Sequence, residues 1–492
     1  MLTYLRMLNK RAAALSVFGA VTLVTAHAQT FTTLAAFDGS NGASPILTSL
    51  VQGLDGNLYG NTQYGGPPCS EEGGLGCGTV FKITPTGALT TLFSFDGTDG
   101  DYPVGLTLAV DGNFYGAAVY GGNSSCLGFG CGTLFKMTPS GTGSTFYNFC
   151  SLANCPDGWH PVTGLLQTTN RDFYGTTGSS GTSAGPSTIF KITTSGTLTT
   201  LYTFCPGSCP SGGPSTLIEA TDGNFYGTTD GGPAVFKMTP SGKLTTLYTL
   251  SPTDQIPSAL IQAIDGDFYG TTFYGGTNTC PNQFQDNIGC GTIFKITSSG
   301  VFTTLHSFDF SDGAWPEGPL IQATDGNFYG TTTGGGYGWG TVFRLTPTGS
   351  LTTLHIFCSQ GCLDGQIPYA GLVQATNGDL YGTARDGGAG PCYILGQGCG
   401  TVFSLSVGLG PFVKMLPSAA PAGEVIRILG TDLTGATSVT FNGTASGFSV
   451  ASPTQILAKV PAGATTGDIQ ATLPGGTLSS KVDFDVLRRP AE

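Results

Sequence analysis

The sequence predicts an all-β protein, a seven-bladed β-propeller closed by its N-terminal strand and followed by an immunoglobulin-like β-sandwich. Three observations predict this fold. One unit recurs seven times, its first and last copies are incomplete in a complementary way, and the composition changes after residue 406. Glycine is abundant, with 79 of 492 residues, while only 10% of residues are charged, and this balance favours turn-dense β-structure.

The repeat is marked by the hexapeptide Asp-Gly-Asn-Phe-Tyr-Gly and its variants. Successive copies start 43 to 60 residues apart, a period that suits four-stranded propeller blades with loop insertions. The seven copies start at Asp55, Asp111, Asn170, Asp222, Asp265, Asp325 and Asn377.

Each unit contains four strand candidates, A to D. Strand A is apolar and leads through the Asp-Gly turn into strand B. Strand C has the sequence type Gly-Thr-Val-Phe-Lys-Ile-Thr, and strand D has the type Leu-Thr-Thr-Leu-Tyr-Thr-Phe. Residues 31–37 are a D strand alone, whereas residues 400–406 are a C strand without its D. The N-terminal strand is therefore expected to complete the last blade, which would remove two exposed sheet edges.

The chain is expected to divide into four parts. Residues 1–28 combine basic residues, an apolar stretch and an Ala26-His27-Ala28 cleavage site, which is typical of a signal peptide. Residues 29–408 would form the propeller, 409–487 the sandwich and 488–492 a tail. We therefore expect a secreted, cell-surface or periplasmic protein without a transmembrane span after removal of the signal.

The charge balance argues against nucleic acid as a partner. The formal net charge is −12, and clusters of Lys and Arg that could neutralise phosphates are missing. No phosphate loop, dinucleotide fingerprint or nucleophile motif is found. The sequence thus predicts no cofactor, no metal and no assigned catalytic residue.

Fourteen cysteines fall into seven neighbouring couples, which an exported chain is expected to oxidise to disulfides. Four couples lie in the longest B–C loops and three in the longest loops between successive units. Zinc binding is the alternative, but no couple has C-x-x-C spacing and few histidines are available. The couples are Cys69 with Cys77, Cys126 with Cys131, Cys150 with Cys155, Cys205 with Cys209, Cys280 with Cys290, Cys358 with Cys362, and Cys392 with Cys399.

All loops of variable length are expected on one face of the propeller, where binding sites usually lie. An Asp-Gly-x-x-Pro pattern recurs there, and its aspartates could either start turns or form a ring of carboxylates. Aromatic residues in the same loops could stack on sugars or pack the loops together. The ligand-face candidates are Asp99, Asp157, Trp159, His160, Asp312, Trp315, Trp339 and Asp364.

Two further positions recur with each unit. The hexapeptide aspartate could bind calcium, but its presence in the turns favours a structural role. Three residues before the hexapeptide, most units have a glutamine, which we expect to form hydrogen bonds between blades. These residues are Gln52, Gln167, Gln262, Gln322 and Gln374, with Leu108 and Glu219 as departures.

Two resemblances support this organisation. The segments Thr-Asp-Gly-Asn-Phe-Tyr-Gly-Thr-Thr (324–332) and Gly-Thr-Val-Phe-Arg-Leu-Thr (340–346) resemble the GloVer tandem repeat of choice-of-anchor bacterial exported proteins. The resemblance covers residues 31–406 and implies location and architecture, not an activity. Residues 423–486, with Gly-Thr-Asp-Leu (430–433) and Val-Thr-Phe-Asn-Gly (439–443), look like an IPT/TIG domain.

The favoured function is that of a non-catalytic binding or scaffolding protein for carbohydrate or a cell-envelope protein. The alternative is a hydrolase or lyase that acts on polysaccharide. Its acids would come from Asp99, Asp157, Asp312, Glu317 or Asp364, and His160 would be its base. This alternative requires two of the carboxyl groups to converge near the mouth of the channel.

Overall fold

The computed structural model describes residues 29–488 except 47–48, 70–74, 123–125, 127, 152–153, 179–186, 205–212, 230–231, 252–256, 281–288, 360, 390–391 and 393–397. The predicted signal peptide and the last four residues of the tail lie outside the described residues. So do Cys205 and Cys209. The regular secondary structure of the described part consists of β-strands, with no helix. The described part therefore contains no helix that could cross a membrane.

The described residues of the repeat block form seven four-stranded antiparallel sheets, here called sheets 1 to 7. Sheets 1 to 6 contain β2–β5, β6–β9, β10–β13, β14–β17, β18–β21 and β22–β25, and sheet 7 contains β26–β28 with β1. The strands are β1 (Thr30–Ala36), β2 (Val51–Gln52), β3 (Leu58–Thr62), β4 (Thr79–Ile83), β5 (Leu89–Ser94), β6 (Asp101–Leu108), β7 (Phe114–Tyr120), β8 (Thr133–Met137), β9 (Gly143–Asn148), β10 (Leu166–Gln167), β11 (Phe173–Thr177), β12 (Thr188–Ile192), β13 (Leu198–Thr203), β14 (Pro214–Glu219), β15 (Phe225–Thr229), β16 (Ala234–Met238), β17 (Leu244–Thr249), β18 (Ile261–Gln262), β19 (Phe268–Thr272), β20 (Thr292–Ile296), β21 (Phe302–Ser307), β22 (Ile321–Gln322), β23 (Phe328–Thr332), β24 (Thr341–Leu345), β25 (Leu351–Ile356), β26 (Val373–Gln374), β27 (Leu380–Ala384) and β28 (Thr401–Ser406).

The second and third strands of each sheet are more deeply buried than the fourth. In sheet 6, all residues of β23 are buried, whereas the fourth strand, β25, is partly exposed. The central Gly330 of β23 pairs with Phe343 of β24, and a Cβ atom at Gly330 would lie 2.6 Å from the Phe343 ring. Glycine is required there because the Phe343 ring occupies the space of a side chain.

Neighbouring sheets pack through the aromatic pair of the hexapeptide. Tyr115 of sheet 2 lies 4.3 Å from Phe173 of sheet 3, and Tyr269 of sheet 5 lies 4.2 Å from Phe328 of sheet 6, measured between ring centroids. Tyr381 of sheet 7 shares a buried cluster with Leu58 of sheet 1. The hexapeptide thus supplies the contact between adjacent sheets, including the first and the last.

The two ends of the repeat block meet in sheet 7. Strand β1 pairs antiparallel with β28, with Phe31 opposite Leu405. This is the pairing that the incomplete first and last units predict. It gives β28 a partner on its outer side and leaves no unpaired edge on that strand.

The C-terminal residues form two four-stranded sheets and one two-stranded parallel pair. Ile428 and Ile456 of one sheet share a buried core with Phe441 and Ile469 of the other, so the two sheets pack as a sandwich. The strands are β29 (Lys414–Leu416), β30 (Ala419–Pro421), β31 (Val425–Leu429), β32 (Ser438–Phe441), β33 (Thr444–Ala445), β34 (Phe448–Ser452), β35 (Gln455–Lys459), β36 (Ile469–Leu473), β37 (Gly476–Ser479) and β38 (Asp485–Leu487).

The sandwich lies against the Asp-Gly turns of the repeat block. The Thr454 hydroxyl donates to the Leu54 carbonyl at 2.8 Å, and Arg427 donates to the carbonyl of Val110. On the other side, the Phe412 N–H donates to the Thr376 carbonyl at 3.0 Å. These contacts place the C-terminal sandwich over the turns of sheets 1, 2 and 7.

Candidate functional site

A cavity of about 680 Å³ opens on the loop side of the repeat block. Most of its wall comes from residues just before, or at the start of, the first strands of sheets 1 and 3 to 7, while Phe273 and Tyr274 follow β19 and Val119 lies in β7, so the cavity lies where the sheets converge. Its size is within the range of small-ligand pockets. The residues whose chemistry matters most are His160, Phe273, Tyr274, Glu317 and Tyr369.

Glu317 is the acidic group of this cavity. Proline residues stand on both sides of the Glu317–Gly318 pair and restrict the backbone there. The Oε2 atom is buried and has no hydrogen-bond partner among the described residues. Burial raises the pKa of Glu317 to about 7, while the positive charge of Arg385 acts in the opposite direction. The carboxyl group can therefore gain or lose a proton near neutral pH.

Two tyrosines and one arginine surround Glu317. Burial, together with the charge of Glu317, raises the pKa of both Tyr274 and Tyr369. The guanidinium of Arg385 lies 5.6 Å from the centroid of the Tyr369 ring and 3.6 Å from the carboxylate of Asp386. The cavity thus combines an acid, phenolic hydroxyls and aromatic faces, which suits a polar organic ligand.

His160 lines the same cavity from sheet 3, as a residue of the loop before β10. Its Nε2 lies 3.3 Å from the carbonyl of Gly130, so Nε2 carries the proton and Nδ1 is an acceptor. Burial lowers the pKa of His160, and its ring stacks on Trp159 with a centroid distance of 5.0 Å. The imidazole is therefore neutral at physiological pH and held by packing.

The residue before the proline of the Asp-Gly-x-x-Pro loops has an unusual backbone conformation. Its φ is 50° in His160, 57° in Trp315 and 56° in Ile367, a left-handed conformation that non-glycine residues rarely adopt. Its N–H donates to a carbonyl just before strand C of the preceding unit, at 2.8 Å from His160 to Cys131 and from Trp315 to Cys290. In the loops of His160 and Trp315, this bond ties the loop to the disulfide-bearing loop beside it, whereas the Ile367 N–H donates to Trp339, in a loop without a disulfide, at 2.8 Å.

The four predicted aspartates do not line the cavity. Asp157 accepts from the Tyr147 hydroxyl at 2.8 Å, Asp312 lies 2.8 Å from His306 Nε2, and Asp364 lies 2.9 Å from His355 Nε2. Asp99 accepts from the Asp96 N–H at 3.0 Å, and burial raises its pKa to about 6. Each aspartate is held in its own loop, three of them by a residue of the preceding fourth strand, so the loops keep the carboxylates apart.

The three tryptophans also take separate places. Trp159 is 8% exposed and packs in the core between sheets 2 and 3, Trp315 packs against the core of sheets 5 and 6, and Trp339 packs against that of sheets 6 and 7. Of the eight residues predicted at the ligand face, His160 alone lines the cavity. The sequence points to Glu317 as an acid for the enzymatic alternative and to Tyr274 as one of the loop aromatics, in a Tyr-Gly-Gly segment that also occurs at Tyr64 and Tyr120. It carries no signal for Tyr369 or Arg385.

The recurring glutamine joins adjacent sheets, as predicted. Its Oε1 accepts from a backbone N–H of the preceding sheet at 2.9 Å for Gln167 with Val110, Gln262 with Thr221 and Gln322 with Ile264, and at 3.0 Å for Gln374 with Thr324. Glu219 substitutes with a carboxylate oxygen, 3.2 Å from the Thr169 N–H. This network lies on the turn side, away from the cavity.

The hexapeptide aspartate also has a structural role. Asp111 accepts from the Tyr115 hydroxyl and pairs with Lys136, both at 3.0 Å. Asp265 makes the same contacts with Tyr269 and Lys295. Since the carboxylate is occupied by its own sheet, these contacts support the structural interpretation over calcium binding.

Six of the predicted cysteine couples are disulfides in the described part of the chain. They are Cys69–Cys77, Cys126–Cys131, Cys150–Cys155, Cys280–Cys290, Cys358–Cys362 and Cys392–Cys399. The sulfurs of Cys126, Cys150 and Cys155 lie within 4.8 Å of one another, but as disulfides they offer no thiolate to a metal. Disulfides of this number are consistent with an extracellular or periplasmic location.

The seventh predicted couple falls in the segment 205–212. Both Cys205 and Cys209 lie outside the described residues, so a bond between Cys205 and Cys209 stays a prediction. It rests on the sequence alone, in which the two cysteines stand four residues apart. The six disulfides that the structure does describe join neighbours at a similar separation, 4 to 10 residues.

The family follows from a comparison with known repeat families. The model of the Gloeobacter/Verrucomicrobia repeat matches residues 12–154, 69–280 and 230–449. The chain belongs to the Gloeobacter/Verrucomicrobia repeat family. Together the three matches span the entire repeat block, and the last one extends into the sandwich. No curated protein matches this Gloeobacter/Verrucomicrobia repeat chain.

Solved structures resemble the Gloeobacter/Verrucomicrobia repeat chain in fold. A streptogramin B lyase aligns with 77% of this chain and 97% of its own length, at 14% identity and a TM-score of 0.52. A catalytically inactive virginiamycin B lyase from Staphylococcus aureus, solved with quinupristin, aligns with 77% of this chain and 99% of its own, at 16% identity and a TM-score of 0.51. These neighbours are β-propeller-like, and at such identities the likeness extends to the fold alone.

Proposed function

We propose that residues 29–408 form a seven-bladed β-propeller closed by the N-terminal strand and that residues 409–487 form an immunoglobulin-like domain of the IPT/TIG type. The seven successive sheets, the pairing of β1 with β28 and the contact between sheets 1 and 7 support the propeller. The face-to-face packing of two four-stranded sheets supports the second domain.

We propose further that this is an exported, non-catalytic binding protein that recognises carbohydrate at the loop-side cavity. The observation that carries this function is the cavity of about 680 Å³, in which the buried oxygen of Glu317 has no partner among the described residues. Carboxylates accept hydrogen bonds from sugar hydroxyls, and the faces of Tyr274, Tyr369 and Phe273 can pack against sugar rings. A cavity of this size fits one end of a glycan better than the flat surface of a protein partner.

Export of the protein from the cell is part of the proposed function and can be tested separately. Its support comes from the disulfides, which form and persist in oxidising compartments, and from the N-terminal sequence. Expression with the native N-terminus in a bacterial host, followed by N-terminal sequencing of the exported product, tests it. A product that starts near Gln29 is expected, and a product that stays in the cytoplasm with Met1 in place contradicts export.

A glycan array tests the binding function. The labelled protein, with all residues after the predicted signal peptide, is expected to bind a defined group of glycans. Tyr274→Ala or Tyr369→Ala should reduce that binding. Phe129→Ala is the matched control, because Phe129 is an exposed aromatic residue of the same loop face that does not line the cavity. Equal loss in all three variants, or no binding by the unmodified protein, contradicts the proposal.

One observation favours the second candidate, a polysaccharide hydrolase or lyase. A carboxyl group with a pKa of about 7, such as Glu317, is suited to general acid or base catalysis. Glycoside hydrolysis, however, generally uses two carboxyl groups that flank the bond, and Glu317 is the one acid among the described lining residues. Release of shorter products from glycans bound on the array would favour the enzyme.

A further inference from the structure

The strongest chemical feature of the cavity is an acceptor without a donor. Glu317 Oε2 is shielded from solvent and has no hydrogen-bond partner among the described residues. An ionised carboxylate that is buried without a partner is costly, and a cation or a strong donor that reaches it offsets part of that cost. The cavity is therefore arranged to receive a donor from outside the chain.

The charged and titratable groups around Glu317 leave this acceptor unsatisfied. Arg385 is the one cation whose charge acts on it, and it does so through space, without a salt bridge to Glu317 in the described part. The Arg385 guanidinium instead faces Asp386 and the Tyr369 ring. Among the described residues, Tyr274 and Tyr369 also interact with Glu317, since its charge contributes to the raised pKa of both phenols. When Glu317, Asp386 and Arg385 are all ionised, the group carries two negative charges and one positive charge, a net formal charge of −1.

The aromatic lining is compatible with a cation. Phe273 and Tyr274 lie next to each other in the wall, with ring centroids 4.5 Å apart, and Tyr369 already packs against the guanidinium of Arg385. Aromatic faces attract ammonium groups as well as the apolar faces of sugar rings. One ligand that carries both an ammonium group and a sugar ring could therefore pack against these aromatic side chains.

We propose that the cavity selects a carbohydrate with a free amino group, whose ammonium pairs with the carboxylate of Glu317. This inference rests on the proposed carbohydrate-binding function and adds the chemical class of the sugar. An ammonium supplies both the positive charge and the hydrogen-bond donor that the buried oxygen needs. A neutral sugar, including one with an acetylated amine, satisfies the hydrogen bond but leaves the charge uncompensated.

Matched oligosaccharides test the inference. Isothermal titration calorimetry of the full chain without its signal peptide would compare a chitosan tetrasaccharide, which has free amines, with the corresponding chitin tetrasaccharide, which is N-acetylated. We expect the chitosan probe to bind about 10- to 100-fold more tightly, as for a hydrogen bond to a charged group. Glu317→Gln should reduce the ratio of the two affinities to near one.

A control variant separates a local ion pair from the overall acidity of the protein. Asp483→Asn removes the same charge at an exposed position of the sandwich, and it should retain the preference for the chitosan probe. A proton readout on the unmodified protein avoids dependence on any variant. Pairing with an ammonium lowers the pKa of the acid. Titrations below pH 7, where both the sugar amine and Glu317 are largely protonated, should therefore report proton release on binding when buffers of different ionisation enthalpy are compared.

The outcomes distinguish the preference for an amino sugar from carbohydrate binding as such. If both probes bind equally, or if Glu317→Gln keeps the preference, the inference about the amino group is wrong and carbohydrate binding stands. Tighter binding of the chitin probe overturns the inference as well. If neither probe nor any other glycan of the array binds, the proposed function itself is wrong.

Discussion

The side-chain oxygen of Gln52 accepts a hydrogen bond of 3.0 Å from the backbone N–H of Thr376, which lies 324 residues later in the chain. The amide nitrogen of Gln52 also donates to the Thr376 hydroxyl at 3.0 Å. The same bond from glutamine to backbone joins neighbouring sheets within the block, as between Gln322 and Ile264. The contact between the last and first sheets therefore uses the same chemistry as the contacts along the array.

Replacement of Gln52 by leucine tests how much this contact stabilises the closed arrangement. Gln52→Leu leaves a buried N–H without its acceptor, and we expect the free energy of unfolding to fall by about 1–3 kcal/mol. Denaturant unfolding followed by fluorescence measures the change. Gln262→Leu is the matched control, because Gln262 makes the same kind of contact between sheets 4 and 5. Gln262 is more exposed than Gln52, so water can replace the lost bond there. A larger effect for Gln262→Leu would contradict the prediction.

The contact between sheets 1 and 2 differs from the others because Leu108 occupies the glutamine position. At this place the C-terminal sandwich makes contact, since Thr454 donates to the Leu54 carbonyl and Arg427 to the Val110 carbonyl. We expect the pair of changes Thr454→Ala and Arg427→Ala to lower the melting temperature and to increase amide hydrogen exchange at residues 54–56.

A compensating change provides the control for this prediction. In the double variant, Leu108→Gln restores the side-chain acceptor found at the equivalent position of other sheets, so it should recover much of the lost stability. Leu108→Met, which has a similar volume and no amide, should not. Equal recovery by both residues would show that packing, and not the hydrogen bond, decides the stability of this contact.

The stability of the protein should depend on the charge of Glu317. Because the pKa in the folded state is about 7, above the ordinary value of 4.5, the neutral form is favoured by folding. Stability is then highest below pH 4.5 and is lost as the pH rises towards 7, by up to about 3 kcal/mol from this group. In Glu317→Gln this part of the pH dependence should disappear, so the variant should be the more stable protein at pH 8. Thermal unfolding from pH 4.5 to 8 measures it, with Asp483→Asn as control.

The disulfide Cys280–Cys290 closes a loop next to the core of sheets 5 and 6. Replacing both cysteines by serine should lower the free energy of unfolding by about 2–3 kcal/mol, because the unfolded chain regains the freedom of that loop. The loop-side cavity should keep its ligand, since neither cysteine lines it. Equilibrium unfolding and a binding titration measure the two effects, and loss of binding with unchanged stability would contradict the prediction.

Local features of this fold could be read from the sequence because they repeat with each unit. The hexapeptide predicted the turn and second strand, and the position three residues earlier predicted the glutamine bridges that Gln167 and Gln322 make. Neighbouring cysteines predicted six disulfides correctly, while the pair Cys205 and Cys209 stays a prediction. The Asp-Gly-x-x-Pro pattern was harder to interpret, because an aspartate that starts a turn and one that binds a ligand have the same local sequence.

The sequence alone determined the repeat, the strand order and the way β1 completes the last sheet, since hydrophobic pattern, turn residues and loop length act over short distances. Only the tertiary structure decided which side chains converge. Glu317, Tyr274, Tyr369 and Arg385 come from three sheets, 5, 6 and 7, and Glu317 and Arg385 stand at positions that the other units do not repeat with the same residue. The place of the sandwich over the Asp-Gly turns likewise depends on contacts between distant residues, such as Thr454 with Leu54, which local sequence does not encode.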